Sequence, residues 1–112
     1  MEEERILEKE QWKAEVSAVI HDIKNHVLQA SISSLDATDD CIYFNITTLE
    51  GTDFCIQMSK SGFVIAGNHH NISNIQSDEF FETPYSLLDK ISPKYRESFA
   101  QQLIDSLTAL TK

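Results

Sequence analysis

Hydrophobic residues near the C-terminus recur at the spacing of an α-helix. They follow one another at intervals of four, four, four and three residues, and they are Tyr95, Phe99, Leu103, Leu107 and Leu110. At 3.6 residues per turn this spacing places them on one stripe, which Ala100 and Ile104 widen. Ser92 is a good helix cap, and Pro93 suits the first helical position because an N–H there would lack a partner anyway. The pattern predicts an amphipathic helix that begins at Pro93.

A second helical pattern lies in the N-terminal part of the chain. Its apolar residues recur at intervals of three and four, and they are Trp12, Val16, Val19, Ile20, Ile23 and Val27. The pattern predicts a helix from Glu2 to about Leu28, with residues 1–11 frayed because they offer little to bury. Thr83 and Pro84 repeat the cap-and-proline signal and predict a short helix that ends before Ser92.

The middle of the chain alternates apolar and polar residues with the period of β-strands. If the hairpin is centred on Glu50, six apolar residues share one face of the two strands: Ile42, Phe44, Ile46, Phe54, Ile56 and Met58. In this register Cys41 and Cys55 lie about four residues apart along the ladder, which is too far for a disulfide. A third strand is predicted from Phe63 to Ala66, and a brief one at Ile32. Phe80 and Phe81 fit either a short edge strand or an aromatic plug at the rim of the core.

These elements predict an α+β fold. We expect an N-terminal helix, an antiparallel meander sheet of three to four strands, and two C-terminal helices packed on one face of the sheet. The 112 residues suit a single domain, 1–112, with one core.

The amino-acid composition narrows the classes of function that the protein can have. Eighteen acidic against nine basic residues give a net charge of −9, which disfavours binding to nucleic acids and to anionic membranes. We find neither a signal peptide nor an apolar run long enough to span a bilayer, so we expect a cytoplasmic protein with reduced cysteines.

The sequence contains little that points to catalysis. His69 and His70 are adjacent in an Asn-rich loop, but the further ligands of a structural zinc site are missing, so we expect no metal and no cofactor. His21 and His26 are predicted to be surface residues. No phosphate-binding loop or nucleophile motif occurs, and Cys55 fits a small buried thiol better than a nucleophile. We expect a binding protein and not an enzyme.

The stretch from Glu82 to Phe99, which reads ETPYSLLDKISPKYRESF, resembles the glycogen synthase kinase 3 beta interaction protein family. The similarity extends over roughly residues 14 to 112 and includes Asp22 and the Asp39-Asp40 pair. The resemblance implies a non-catalytic adaptor that docks its C-terminal helix in a groove of glycogen synthase kinase 3, inhibits or localises the kinase, and acts in Wnt signalling. The kinase-binding residues it implies are Phe99, Leu103, Ile104, Leu107 and Leu110, with Ala109 in the same pattern.

Two alternatives stay open. The family resemblance also implies a scaffold that binds protein kinase A regulatory subunits through the first helix, at Val16, Val19, Ile20, Ile23 and Val27. In this chain Lys24, Asn25 and His26 interrupt that apolar ridge. The other alternative is a structural domain related to clustered-mitochondria proteins. We expect a free-standing protein instead, since the chain opens with Met1.

The two roles of the last helix compete, because a stripe buried against the sheet cannot also fill a groove on a kinase. About twenty helical residues span roughly 30 Å, whereas a six-residue strand spans about 20 Å. We therefore expect the last two turns to project beyond the sheet. Tyr95 and Phe99 would anchor the helix in the core, and the leucines would stay exposed.

Overall fold

The computed structural model describes residues 9–110 and has the predicted α+β architecture. Its elements in chain order are α1 (Lys9–Ile23), a 3₁₀ turn (Lys24–His26), β1 (Gln29–Ile32), β2 (Cys41–Thr47), β3 (Asp53–Ser59), β4 (Gly62–Gly67), α2 (Pro84–Ile91) and α3 (Pro93–Leu110). The strands form one antiparallel sheet in the order β1-β2-β3-β4. Most of the segment predicted to fray, residues 1–11, lies outside the described residues.

Helix α1 ends earlier than predicted. It stops at Ile23 and not near Leu28, and the 3₁₀ turn leads into Val27, whose backbone is extended. His26 and Val27 are both buried, so the chain turns inward here. Because this turn depends on contacts with α3, the local sequence pattern did not reveal it.

The register of the central hairpin is the predicted one. Ile46 lies opposite Phe54, Phe44 opposite Ile56, and Ile42 opposite Met58. The apolar alternation fixes this register, because a slip of one residue would turn all six side chains to the opposite face. Cys41 pairs with Ser59 and Cys55 with Asn45, and both cysteines are free thiols.

The apolar face of the sheet carries the core. Phe44 is fully buried there, with its ring edge-on to Phe63 at a centroid distance of 6.2 Å. Helix α1 packs on β1 and β2, and α2 packs on β4. Helix α3 packs on α2 and the 3₁₀ turn, and it adds Tyr95 to the core cluster.

The opposite face of the sheet is covered in part by the irregular segment between β4 and α2. Asn71 holds this segment in place, because its side-chain oxygen accepts hydrogen bonds from the Asn45 amide at 3.0 Å and the Ser33 hydroxyl at 2.9 Å. Further along, the Asn74 and Ile75 N–H groups both donate to the Ala66 carbonyl. The segment buries Cys55, and this burial raises the pKa of its thiol despite hydrogen bonds from its neighbours.

The next residues combine the two alternatives for the Phe pair, because Phe81 pairs with β4 and also packs against the core. Phe81 forms a two-hydrogen-bond bridge with Phe63 at 2.8 Å each, so it extends the sheet beside β4. Phe80 points away and is exposed.

Candidate functional site

The N-terminus of α3 is fixed by a carboxylate from the β2–β3 hairpin. Glu50 accepts hydrogen bonds from the Ser92 hydroxyl at 2.8 Å and from the Lys94 N–H at 2.7 Å. The Ser92 oxygen in turn accepts the Tyr95 N–H at 3.1 Å, as expected of a helix cap. A negative charge at this helix end also interacts favourably with the helix dipole. The hairpin therefore determines where α3 starts.

These contacts affect the acidity of Glu50. Partial desolvation acts to raise the pKa of its carboxyl group, but the hydrogen bonds from Lys94 and Ser92 outweigh it. The net result is a pKa below the ordinary value of 4.5. The carboxylate is thus the form that the folded protein favours.

Two further contacts hold the first turns of α3. The Arg96 guanidinium donates to the Asp89 carbonyl at 2.9 and 3.1 Å and pairs with the Asp89 carboxylate at 3.0 Å, which ties α3 to the end of α2. On the other side, the His26 ring lies edge-on to Tyr95 at 5.4 Å, and its Nδ1 is 3.3 Å from the Ser98 hydroxyl oxygen. His26 is buried, so its prediction as a surface residue was wrong, whereas His21 is exposed.

Beyond these contacts α3 projects into solvent. Every residue from 100 to 109 is exposed. Four of the five predicted kinase-binding side chains are about half exposed: Phe99 (47%), Leu103 (54%), Ile104 (53%) and Leu107 (56%). The side chain of the fifth, Leu110, lies outside the described residues. Tyr95 is buried, as predicted, but Phe99 is at most a partial anchor because half of its surface faces solvent.

The exposed stripe of α3 continues into a groove between α2 and α3. This α2–α3 groove has a volume of about 700 Å³, and its walls include Phe81, Tyr85, Tyr95 and Phe99. A smaller hollow further along α3 is lined by Phe99, Gln102, Leu103 and Ser106. Phe99 belongs to both, so the two depressions form one continuous surface.

The predicted ridge for protein kinase A regulatory subunits lies against the core of the domain, unlike the exposed stripe on α3. Val16, Ile23 and Val27 are buried in the core, and Val19 and Ile20 are partly buried against it. In this conformation the five side chains do not form an exposed stripe. Anchoring through this ridge stays a prediction, and it would require α1 to move away from the sheet.

Of the two adjacent histidines, His70 has structural partners. The His70 Nε2 atom is 3.0 Å from the Ile46 carbonyl oxygen, 3.1 Å from the Thr47 hydroxyl and 3.4 Å from the Asp53 carboxylate, which helps to secure the segment over the sheet. Within residues 9–110, no group of three His, Cys, Asp or Glu side chains is placed to hold a metal ion. None of the helices described is long and apolar enough to cross a membrane.

Sequence reasoning missed two parts of this surface. Glu50 was predicted only as the centre of a hairpin, and its role depends on residues more than forty positions away. Tyr85 was not among the predicted site residues, yet it is 39% exposed beside Phe99. Its position at the start of a short helix was the only local signal.

Comparison with known proteins identifies relatives over nearly the whole chain. A family profile described as GSKIP domain matches residues 12–110. The GSK3-beta interaction protein of Macaca fascicularis and the GSK3B-interacting protein of Homo sapiens are each 32% identical over 102 residues, which is 89% of this chain and 73% of the relative. The GSK3-beta interaction protein of Gallus gallus is 33% identical over the same length.

Proposed function

Because the chain belongs to the GSKIP domain family, we propose that it is a non-catalytic adaptor that binds glycogen synthase kinase 3 through α3. The names of its relatives supply the partner, and the exposed stripe on α3 is the observation that supports the mode of binding. A helix with one apolar face can lie in a groove on a partner, with anchors at intervals of three and four residues. Phe99, Leu103 and Leu107 have that spacing.

Contiguous apolar patches on the surface of monomers commonly mark binding sites. The exposed stripe on α3 therefore supports a docking role for this helix. The stable part of the fold does not need it: the core cluster takes Tyr95 from α3, while residues 100–109 face solvent. The exposed turns are therefore available for binding without any unfolding of the domain.

The size of the stripe limits the affinity it can supply. Full burial of a large apolar side chain contributes about 1.5 to 3 kcal/mol. Since the four described side chains are about half exposed, they would contribute roughly 3 to 6 kcal/mol together. Association costs at least about 4 kcal/mol, and micromolar binding needs a net of about 8 kcal/mol. The stripe thus locates the docking site, and tighter binding requires additional contact area.

The test is the change Leu107→Asp, measured by titration calorimetry with the purified kinase. Loss of the leucine contacts would remove about 1 to 2 kcal/mol. Burial of an unpaired carboxylate would remove at least about 2 more. We expect binding to weaken by about 100-fold or more. The melting temperature should stay close to that of the wild type, because Leu107 is on the surface.

The matched control is Thr108→Asp, which places the same charge one residue further along, about 100° around the helix from Leu107. Both changes put a carboxylate near the C-terminal end of α3, so they have a similar effect on the helix dipole. Thr108→Asp should bind the kinase nearly as well as the wild type. Wild-type affinity of Leu107→Asp would refute docking through the stripe.

Occupation of a scaffold-binding groove would restrain or localise the kinase. The two outcomes differ in a phosphorylation assay with a short peptide substrate and a saturating amount of the domain. Reduced turnover of the peptide would identify an inhibitor. Unchanged turnover, together with displacement of a scaffold helix from the kinase, would identify a protein that acts by localisation.

A further inference from the structure

The α2–α3 groove lies at the anchored end of the exposed stripe. Phe99 forms part of both the groove and the hollow along α3, so a partner seated on Leu103 and Leu107 would reach the groove by continuing toward the N-terminus of the helix. Tyr85 stands at the other wall and is 39% exposed. The stripe and the groove together present aromatic and aliphatic surface on two helices.

The backbone frame of the groove is held in place by contacts within the domain. Arg96 binds both the carbonyl and the carboxylate of Asp89, which sets the corner between α2 and α3. The backbone of Phe81 is held by its bridge to Phe63, which fixes the position of its Cα at the wall of the groove. A preformed site loses less conformational entropy on binding than a site that must be ordered first.

The charges around the groove are balanced. Arg96 is paired with Asp89 at 3.0 Å, and Lys90 is paired with Glu79 at 3.6 Å. The aromatic walls together with compensated charges favour an apolar or aromatic side chain over an acidic or basic one. An open groove with aromatic walls beside a docking surface can hold an anchoring side chain of a partner.

We infer that the α2–α3 groove is the second half of the docking surface, and that it receives one large apolar side chain of the same kinase that binds α3. The inference rests on the proposed function and extends it, since it supplies contact area that the stripe alone lacks. Recognition would then depend on the corner between the two helices, and not only on the sequence of α3.

The test compares variants of the whole chain by titration calorimetry with purified glycogen synthase kinase 3. Tyr85→Ser removes one wall of the groove and is expected to weaken binding by roughly ten-fold. Phe80→Ser is the matched control, because Phe80 is also an exposed aromatic residue (45%) but lies on the opposite side of the sheet beside Gln57 and Val64. Its affinity should stay within about two-fold of the wild type.

A second variant tests the groove even if Tyr85→Ser disturbs the fold. Ser86→Lys places a long charged side chain in the groove from an exposed helical position, and it leaves the aromatic wall residues intact. It should weaken binding to a similar degree. If the melting temperature of Tyr85→Ser falls well below that of the wild type, the result of Ser86→Lys decides.

The outcomes separate this inference from the proposed function. Loss of binding in Leu107→Asp together with wild-type affinity in Tyr85→Ser and Ser86→Lys would overturn the groove and leave docking through α3 intact. An equal loss in Phe80→Ser would also overturn it, since the effect would not be specific to the groove. Wild-type affinity in Leu107→Asp would remove the basis of both.

Discussion

The orientation of α3 should depend on one carboxylate that lies in another part of the chain. Glu50→Ala removes the acceptor for the Ser92 hydroxyl and the Lys94 N–H, and it also removes a hydrogen bond from the Thr48 side chain within the turn. In that turn Gly51, with a φ of +87°, adopts the left-handed conformation, and its N–H donates to the Thr48 carbonyl. The backbone hydrogen bond of the turn stays, and two of the lost hydrogen bonds are those between the hairpin and the start of α3.

The expected cost follows from the two hydrogen bonds. Loss of a helix cap costs about 0.5 to 2 kcal/mol. Ser92 is fully buried, and a buried hydroxyl left without its acceptor costs about 1 to 3 kcal/mol. These two costs overlap because both concern the same cap, so we expect a loss of about 1 to 3 kcal/mol in the free energy of unfolding. Glu50→Gln should lose less, since its amide oxygen can still accept one hydrogen bond.

Urea unfolding followed by circular dichroism measures this loss. The control is Glu97→Gln, which removes a negative charge from an exposed position on α3. The control should unfold within about 0.5 kcal/mol of the wild type. Amide hydrogen exchange adds a local test, because the Lys94 N–H should exchange faster in Glu50→Ala. If Glu50→Ala is as stable as the control and its Lys94 N–H is equally protected, then Glu50 does not cap α3.

Two further predictions concern pH and packing. The folded protein holds the pKa of Glu50 below its ordinary value of 4.5. The stability difference between the wild type and Glu50→Gln should therefore be complete above pH 4.5 and decline as the pH falls through the lowered pKa. Urea titrations over a pH series measure this difference. In Gly67→Ala the added Cβ would collide with the Ile72 carbonyl, so we expect a loss of about 1 to 3 kcal/mol in the same assay. A Gly67→Ala protein as stable as the wild type would contradict this contact.

The features that the sequence predicted correctly are those with local causes. The register of the β2–β3 hairpin follows from strict alternation on both sides of Glu50. The start of α2 follows from Thr83, whose hydroxyl oxygen accepts the Ser86 N–H, and from the proline after it. In each case the residues that decide the structure lie within a few positions of one another.

The features that the sequence did not reveal have distant causes. His26 interrupts the apolar pattern of the first helix, but it is buried because it contacts Ser98 and Tyr95, which lie about seventy residues later. Asn71 looks like part of a polar loop, yet it is hydrogen-bonded to Asn45 on β2. Hydrophobic periodicity detects neither contact, because a polar side chain that is buried by hydrogen bonds has the same sequence pattern as an exposed one.

The exposure of the α3 stripe has both a local and a distant cause. Its periodicity predicts an apolar face but does not reveal whether the domain covers it. The structure shows that the domain holds only the start of the helix, because Glu50, Asp89 and His26 all contact the stretch of chain between Ser92 and Phe99. Substitutions beyond Phe99 can therefore change binding with little effect on stability, whereas substitutions in the first two turns should change both. That difference is what makes Leu107 a sharper probe of function than Tyr95.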